Sequence, residues 1–447
     1  MSEQAIYGDT AYCGVELINR SGNGALPVGE HDFAEAMDRC VLVDKTMFIA
    51  DVLDADASVV ACCRSEGFGK SMNLSMLRAF LERPTVGQVD RGLFAGSQIW
   101  DADGGRYRDK FARYPVISLD FSDAARRGAA VASVVRDALS RECARLLPLL
   151  EAPDLPRDKM RHIERAARGV ASESEVDSVL GVLIELLEMA CDEQVVLLVD
   201  GYDAAWLSRF AMRDACGSCP AELLDRVLFD AIATAHDSLR LACLMGERPG
   251  PAETALSLRG CSYCMSTPLS GWCDRWFGFS DDEVQALLGH AGRGEYLDDA
   301  REWFEGYRFG GFYCSSPARV IDFLNRGCTP PVRADLYGFA DCLSKVAGDW
   351  SLERLSTLFD LLEAHGSVEV PLRMGAVGSD ASTDDDLWTA LYLSGFLTTD
   401  MVEEPGNSAR SRALRLPNGE LRQAVRLVII EWFECAAEDV RDVDAFR

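Results

Sequence analysis

One short stretch of the sequence combines glycine, lysine and serine in a spacing that suits the binding of phosphate. It reads Cys-Cys-Arg-Ser-Glu-Gly-Phe-Gly-Lys-Ser over residues 62–71 and overlaps the end of an apolar run, 58–63. Gly69 lets the backbone approach an anion closely, and a helix that begins after it would direct free N–H groups at that anion. Lys70 can reach the outer phosphates of a nucleotide, and the Ser71 hydroxyl can ligate Mg²⁺.

The match to the general phosphate-loop pattern is incomplete. That pattern, Gly-x4-Gly-Lys-Ser, requires glycine where this chain has Arg64. An ordinary turn between a strand and a helix, with an exposed lysine, is therefore the alternative interpretation. The apolar run before the loop and the amphipathic pattern after it favour the nucleotide site. The apolar positions of that predicted helix are Met72, Met76, Leu77, Phe80 and Leu81.

A carboxylate at the end of a second apolar run completes the predicted site. Residues 195–199 are uninterrupted and β-branched or aliphatic, as in a strand covered on both faces, and Asp200 follows them. An acid in this place can hold Mg²⁺ directly or through water. We therefore predict Ser71 and Asp200 as metal-binding residues. A polar strand end or a helix cap is the alternative for Asp200.

Hydrolysis of a nucleotide needs a further group that orients or deprotonates the attacking water. A glutamate directly after the Mg²⁺-binding acid commonly does this, and the chain has Gly201 there. Asp203 is nearby, and we predict it as the candidate catalytic residue although its side chain is shorter. The next apolar run has Met245 where a polar residue could sense the outer phosphate. These residues therefore support the binding of a nucleotide better than its hydrolysis.

Length and charge restrict the class of protein. A chain of 447 residues predicts two to four domains, at roughly 100–200 residues each. The formal net charge of −27 argues against a general binder of nucleic acid or of membrane surfaces, because such proteins present basic faces. Only five residues are lysine, so the one in the Gly-Lys-Ser triplet is more informative than usual.

The N-terminal sequence and the sixteen cysteines bear on the cellular compartment of the protein. The N-terminus lacks the basic and then apolar pattern of a signal peptide, and no apolar stretch is long enough to span a membrane. We therefore expect a cytoplasmic protein with reduced cysteines. The pairs Cys216/Cys219 and Cys261/Cys264 have the spacing of zinc ligands, but the gap between the pairs is longer than the ~15–20 residues typical of such sites.

The order of predicted elements gives the fold class. Strand-like runs separated by helical patterns predict a doubly wound α/β domain with a mainly parallel sheet over residues 26–270. Residues 1–25 are predicted to be a flexible tail, and 271–350 a helical region. Within 351–447, a helix, two short strands and a terminal helix that ends near Cys435 predict a winged-helix-like module.

Eight short motifs, in order, resemble those of the bacterial AAA-ATPase-like family, whose longer members often carry a C-terminal PD-(D/E)XK nuclease-like domain. The resemblance covers nearly the whole chain, from about Leu26 to Arg426. The motifs are Leu26-Pro-Val-Gly29, Asp32-Phe33, Val43-Asp-Lys-Thr46, Phe68-Gly-Lys-Ser71, Leu119-Asp-Phe-Ser122, Trp303-Phe-Glu-Gly-Tyr-Arg-Phe-Gly310, Leu391-Tyr-Leu-Ser-Gly-Phe-Leu397 and Leu416-Pro-Asn418.

The resemblance implies a phosphate-loop NTPase fold with ATP and Mg²⁺ as cofactors. Arginine is usual at the first loop position of this family, so Arg64 fits it. The implied nucleotide-binding residues are Arg64, Gly67, Phe68, Gly69, Lys70, Ser71 and Met72. A nuclease activity is not implied, because the matched motifs end before the position of the nuclease-like domain.

Three departures from the family pattern fall on the predicted catalytic parts. At the positions of residues 64–67 the family has Arg-Pro-Arg-Arg. At those of 200–203 it has Asp-Glu-Tyr-Asp, and at those of 245–246 it has Thr-Gly. This chain differs from the family at each of the three places. Two hypotheses follow: an ATP-binding protein with slow or impaired hydrolysis, or a non-catalytic nucleotide-binding or interaction scaffold. Turnover that appears only in a Gly201→Glu variant would favour the second. Either would act with a protein partner that the sequence does not identify, and an oligomer is compatible with both.

Overall fold

The computed structural model describes most of the chain in two compact units. The described residues are 15, 17–20, 22, 24–85, 87, 90–125, 130–205, 220–332, 336, 352–363, 366–374, 384–401 and 411–445. The first unit contains most of these residues up to Thr267, and the second contains those from Pro268 onward together with Ser65–Phe68.

The first unit contains a short strand pair and a larger sheet. The pair is antiparallel and joins β1 (Leu17–Ile18) to β2 (Leu42–Val43). The strands of the larger sheet are β3 (Val59–Cys63), β4 (Val116–Asp120), β5 (Val195–Asp200), β6 (Leu239–Gly246) and β7 (Tyr263–Ser266).

The helices of the first unit alternate with these strands, as the sequence pattern predicts. They are α1 (Phe33–Arg39), α2 (Phe48–Leu53), α3 (Lys70–Leu81), α4 (Gln98–Asp101), α5 (Val131–Leu146), α6 (Arg157–Ala167), α7 (Glu173–Cys191), α8 (Pro220–Leu224), α9 (Ala231–Thr234) and α10 (Gly250–Leu258). A π-helical segment, Asp225–Asp230, joins α8 to α9. Single 3-10 turns occupy Ala102–Gly104, Arg108–Lys110, Ser122–Ala125 and Leu147–Leu150.

The five strands of the larger sheet are all parallel and lie in the order β4-β5-β6-β3-β7. Residues 195–199 of β5 and 59–63 of β3 are all buried, which is typical of strands covered on both faces. The predicted α/β architecture with a parallel sheet is confirmed. Because all carboxyl ends meet at one edge, and the strand order changes direction beside β3, ligands are expected in the crevice at that edge.

Two backbone groups of the outer strand β4 form hydrogen bonds with side chains of α5. The Ser118 N–H donates to Glu142 at 2.6 Å, and Arg145 donates to the carbonyl of Val116 at 2.8 Å. Exposed strand edges invite pairing with other chains, and charged side chains from a covering helix prevent it. These contacts protect the edge at residues 116 and 118, and pairing with β5 holds the strand in register up to Asp120.

The second unit is mixed. Its helices are α11 (Asp281–His290), α12 (Leu297–Phe304), α13 (Pro317–Asn325), α14 (Leu352–Leu362), α15 (Asp384–Leu393) and α16 (Gly419–Ala445), with 3-10 turns at Asp274–Trp276 and Gly294–Tyr296. Its strands are β8 (Tyr307–Phe309), β9 (Phe312–Cys314), β10 (Val368–Pro371), β11 (Thr398–Thr399) and β12 (Ser411–Arg415). The strands form an antiparallel hairpin, β8-β9, and a three-stranded antiparallel sheet in the order β10-β12-β11.

Several details of the second unit differ from the sequence-based expectation. The hairpin β8-β9 and strand β10 were not predicted, and α16 continues ten residues beyond Cys435 instead of ending near it. The hairpin occurs in a stretch interrupted by Gly306, whose φ of +111° and approach to the Pro417 carbonyl exclude a side chain. The acidic residues 384–386 begin α15.

The N-terminal segment also departs from expectation where it is described. Leu17 and Ile18, within the predicted flexible tail 1–25, are buried in β1. Most of that segment lies outside the described residues, as do Cys216 and Cys219. Over the part of the chain that the structure describes, no helix is both long and apolar enough to cross a membrane.

Candidate functional site

The predicted phosphate loop connects the carboxyl end of β3 to the amino end of α3. Two of its residues have a left-handed backbone, with φ of +84° at Gly67 and +81° at Gly69, a conformation that favours glycine. Gly69 immediately precedes α3, which begins at Lys70 and runs for 12 residues. The first N–H groups of such a helix have no partner within the helix and are available to an anion.

Lys70 spans the loop from its end to its beginning. Its ammonium group donates to the backbone carbonyl of Arg64 at 2.8 Å. The side chain is partly buried but not enclosed. Lys70 is therefore held at the mouth of the loop, where an anion bound to the first turn of α3 would lie within its reach.

Ser71 and Asp200 are brought together from positions 129 residues apart. The Ser71 hydroxyl donates to Oδ2 of Asp200 at 2.5 Å. Burial raises the pKa of Asp200 and its neighbour Asp120 adds to this, while the Ser71 hydrogen bond and the charge of Lys70 act in the opposite direction. The geometry joins a hydroxyl and a carboxylate, the oxygen ligands that Mg²⁺ prefers.

Asp120 is a further acid of this site that the sequence analysis did not select. It ends β4 in direct register with Asp200 on β5, so the two carboxylates belong to neighbouring strands at the same edge. Its Oδ1 accepts hydrogen bonds from the Ser122 N–H at 2.9 Å and the Ser122 hydroxyl at 2.6 Å. The signal was present, because an acid at the end of an apolar run also identified Asp200.

Arg64 is fully buried and joins three parts of the sheet edge. Its guanidinium donates to the carbonyl of Cys63 at 2.7 Å and to both the carbonyl and hydroxyl of Ser266, at 3.1 and 2.9 Å. Its N–H donates to the carbonyl of Gly246 at 2.9 Å. Arg64 thus fixes the start of the loop to the ends of β3, β6 and β7.

Gly67 and Phe68, also predicted to bind nucleotide, group with the second unit. The Gly67 carbonyl accepts from the Ala318 N–H and the Ser316 hydroxyl, each at 3.2 Å. The buried Phe68 ring packs edge-on against Tyr307 and Phe309, with centroid distances of 4.9 and 4.8 Å. The Phe68 side chain is therefore committed to packing, which leaves its backbone for ligand contacts. The remaining predicted residue, Met72, lies partly buried in the first turn of α3.

The Gly201 backbone is pressed against the neighbouring strand connection. Gly201 has a φ of +65°, and a Cβ added to it would lie 2.7 Å from the backbone nitrogen of Ser122 and 2.8 Å from its Cα. Both the conformation and the space exclude a side chain. Glutamate cannot be introduced at position 201 without moving backbone, so the Gly201→Glu test suggested by the sequence would report damage to the fold.

Asp203 is buried, with only 1% of its surface exposed. Its Oδ2 accepts hydrogen bonds from the N–H groups of Glu247 at 2.9 Å and Arg248 at 2.7 Å. Among the described residues its Oδ1 has no hydrogen-bond partner. Burial raises the pKa of this carboxyl, and the two N–H groups oppose that rise. Asp203 therefore binds the turn between β6 and α10.

Tyr202, which the sequence analysis passed over, reinforces the same turn. Its hydroxyl donates to the carbonyl of Arg248 at 2.5 Å and lies 3.1 Å from the Cys63 sulfur. A Cβ at Gly246 would lie 2.6 Å from the Tyr202 ring and 2.7 Å from Oδ1 of Asp203. Glycine at 246 is thus required by the side chains that pack on it.

The side chains fit a Mg²⁺–nucleotide and do not form a protein-only metal site. Mg²⁺ is commonly held by one or two protein oxygens and completed by phosphates and water. Ser71 and Asp200 would supply that number, and Lys70 would supply positive charge for the phosphates. Within the described ranges, no group of three or more histidine, cysteine or acidic side chains could hold a metal ion, and this includes Cys261 and Cys264.

Comparison with known proteins adds two findings. A family model described as "Predicted AAA-ATPase" matches residues 27–249, the range that contains the loop, Asp200 and Asp203. An uncharacterized protein in the vnfD 5′ region of Azotobacter chroococcum mcd 1 is 25% identical over 408 residues, which cover 91% of this chain and 70% of that protein. Through the segment 27–249, the chain belongs to the predicted AAA-ATPase family.

Proposed function

We propose that the chain binds ATP with Mg²⁺ at the carboxyl edge of its parallel sheet and hydrolyses it slowly or not at all. The observation that carries this proposal is the 2.5 Å hydrogen bond between Ser71 and Asp200, with Lys70 one residue before Ser71. Membership of an ATPase family supports the choice of nucleotide.

Each part of the site has a separate role in this proposal. The N–H groups of Gly69, Lys70, Ser71 and Met72 bind phosphate oxygens at the start of α3, and the Lys70 ammonium exchanges the Arg64 carbonyl for an outer phosphate. Ser71 and Asp200 are the residues that would hold the metal. When bound, Mg²⁺ neutralises charge on the outer phosphates.

Hydrolysis is the weaker half of the proposal for a physical reason. A water-orienting carboxylate must lie within hydrogen-bond reach of the attacking water. Gly201 has no side chain, and one carboxylate oxygen of Asp203 already accepts two backbone N–H groups. Asp203 as the catalytic residue would have to act through its buried Oδ1. The alternative function, a non-catalytic nucleotide-binding scaffold, is favoured by the same contacts.

The decisive experiment measures Mg²⁺–ATP binding by calorimetry for the wild type, Lys70→Ala and Lys110→Ala. A charge-assisted contact contributes about 1.5–3 kcal/mol, so Lys70→Ala should weaken binding roughly 10- to 100-fold. Lys110 is the matched control, because its ammonium pairs with Asp109 on the surface at 2.8 Å. Its alanine variant should bind as the wild type does.

Phosphate release measured on the same samples separates the two hypotheses. Turnover that is measurable but well below the ordinary range of about 1–10³ s⁻¹ supports impaired hydrolysis, and its absence supports the scaffold. Turnover within that range would contradict both. Wild-type protein that binds no nucleotide, or a Lys70→Ala variant that binds normally, would contradict the proposed site.

The finer assignments are also proposals. We propose an N-terminal segment 1–25, an ATPase-like domain over 26–270, a helical region over 271–350 and a winged-helix-like module over 351–447, supported in the last case by the antiparallel sheet β10-β12-β11. We propose a cytoplasmic protein that acts on a protein partner, and this function is compatible with an oligomer.

A further inference from the structure

We propose that Asp203 is a positioning residue for nucleotide binding, which holds the phosphate loop through the turn that follows β6. This inference rests on the proposed nucleotide site and changes the role of one residue in it. The sequence pattern predicts Asp203 as the group that orients water. Its contacts connect it to the backbone of the loop.

The first link is the bond between Asp203 and the turn. A carboxylate that accepts two backbone N–H groups at 2.9 and 2.7 Å fixes the direction of both peptide units. Hydrogen bonds to a charged group are roughly twice as strong as those between neutral groups. Only 1% of the Asp203 surface is exposed, so bulk solvent does not compete for these two N–H groups while the carboxylate is present. The turn 246–248 therefore depends on Asp203 for its conformation.

The second link connects the turn to the loop. The carbonyl of Gly246 accepts the N–H of Arg64 at 2.9 Å, which sets the position of the first loop residue. The carbonyl of Arg64 in turn accepts a hydrogen bond from the Lys70 ammonium at 2.8 Å. A displaced turn therefore moves the group that aligns Lys70 with the start of α3.

Tyr202 supports the same path independently. Its N–H donates to the Met245 carbonyl at 3.2 Å, and its hydroxyl donates to the Arg248 carbonyl at 2.5 Å. The residues on both sides of Gly246 are thus tied to the segment after β5. Gly246 has no room for a side chain because Tyr202 and Asp203 pack directly on it.

The expected effect of this arrangement is on affinity. A loop that samples several conformations must be ordered when ligand binds, and that cost lowers affinity. A water-orienting acid would instead affect turnover and leave the binding of ADP unchanged. The two roles therefore predict different results for the same substitutions.

The experiment compares Asp203→Asn and Asp203→Ala with the wild type for Mg²⁺–ADP affinity. Asparagine retains an oxygen that accepts the two N–H groups, so Asp203→Asn should stay within about threefold of wild type, whereas Asp203→Ala should lose about tenfold or more. Tyr202→Phe removes only the hydroxyl and should lower Mg²⁺–ADP affinity by a smaller factor than Asp203→Ala. It replaces Asp203→Ala in the comparison if that variant does not fold. Asp237→Ala is the control, since its side chain is 94% exposed.

Amide hydrogen exchange without nucleotide gives a readout that does not depend on ATP binding. Asp203→Ala, or Tyr202→Phe in its place, should accelerate exchange at the Arg64 N–H, which donates to the Gly246 carbonyl, and Asp203→Asn should not. Equal affinity in all variants together with unchanged exchange at Arg64 would overturn the proposal. A wild type that binds no nucleotide would contradict the proposed function, and the exchange data would then decide the positioning role alone.

Discussion

Two groups of residues lie at the carboxyl edge of the same parallel sheet, and they differ in how their polar atoms are satisfied. In the first group, Lys70, Ser71 and Asp200 bind each other or the loop and are all partly accessible. In the second, Gly201 is packed against the Ser122 backbone, Gly246 is packed against the side chains of residues 202–203, and Asp203 is nearly inaccessible. The first group can exchange its hydrogen bonds for those of a ligand, whereas the second cannot do so without disturbing the fold.

The comparison separates ligand binding from water activation. The departure from the family pattern at 201 could be interpreted as the loss of a functional group from an otherwise unchanged site. The approach of Gly201 to the Ser122 backbone indicates instead that the local packing has closed around the smaller residue. Restoring the family's glutamate at position 201 would therefore meet a site that has no space for it.

The largest expected effect tests this closure at Gly201. Both Gly201→Ala and Gly201→Glu should lower the free energy of unfolding by at least about 2 kcal/mol, because left-handed backbone and crowding each cost about 1–3 kcal/mol. Chemical denaturation measures this. Gly260→Ala is the matched control, since Gly260 has a similar φ of +69° but open space around its Cβ position.

The control isolates the contact with Ser122 from the backbone conformation. Gly260→Ala should cost only the conformational part, about 1–2 kcal/mol. A Gly201→Glu variant that is as stable as the wild type and gains ATP turnover would remove the distinction between the two groups.

A smaller effect is expected in the group formed by Lys70, Ser71 and Asp200. There, Asp200→Asn should weaken the binding of Mg²⁺–ATP and raise the stability of the fold. Loss of the carboxylate should weaken Mg²⁺–ATP affinity about tenfold or more, with little change in Mg²⁺-free nucleotide binding. Burial raises the pKa of Asp200, so its charged form is unfavourable in the fold and the neutral amide should raise the melting temperature. Calorimetry with and without Mg²⁺, together with thermal unfolding, tests both; a variant that is less stable than the wild type would contradict this account.

The smallest effect concerns pH. Because the pKa of Asp200 is higher in the folded protein than in the unfolded chain, the folded protein binds this proton first as pH falls. The cost of the buried charge is fully present at neutral pH and is relieved as pH falls through the folded pKa. The stability difference between Asp200→Asn and the wild type should therefore shrink between about pH 7 and pH 4. Urea unfolding at several pH values measures it, and a constant difference would show that the carboxylate is not the cause.

The sequence by itself determined the parallel α/β architecture and the elements that carry the candidate site. Apolar runs such as 195–199 are buried on both faces wherever they lie in a fold, and Gly69 followed by Lys70 and Ser71 favours a loop that enters a helix. Local chemistry of this kind is readable without tertiary contacts, and the predicted strands β3 to β6 were accordingly confirmed.

Only the tertiary structure decided what surrounds each polar group. The closeness of Ser71 and Asp200, the register of Asp120 beside Asp200, and the turn held by Asp203 all join residues far apart in the chain. The second unit was predicted less well, because short strands such as β8 and β10 depend on pairing with distant partners and leave little periodic pattern. Spacing along a chain identifies which groups can do chemistry, but burial and packing determine which of them a ligand can reach.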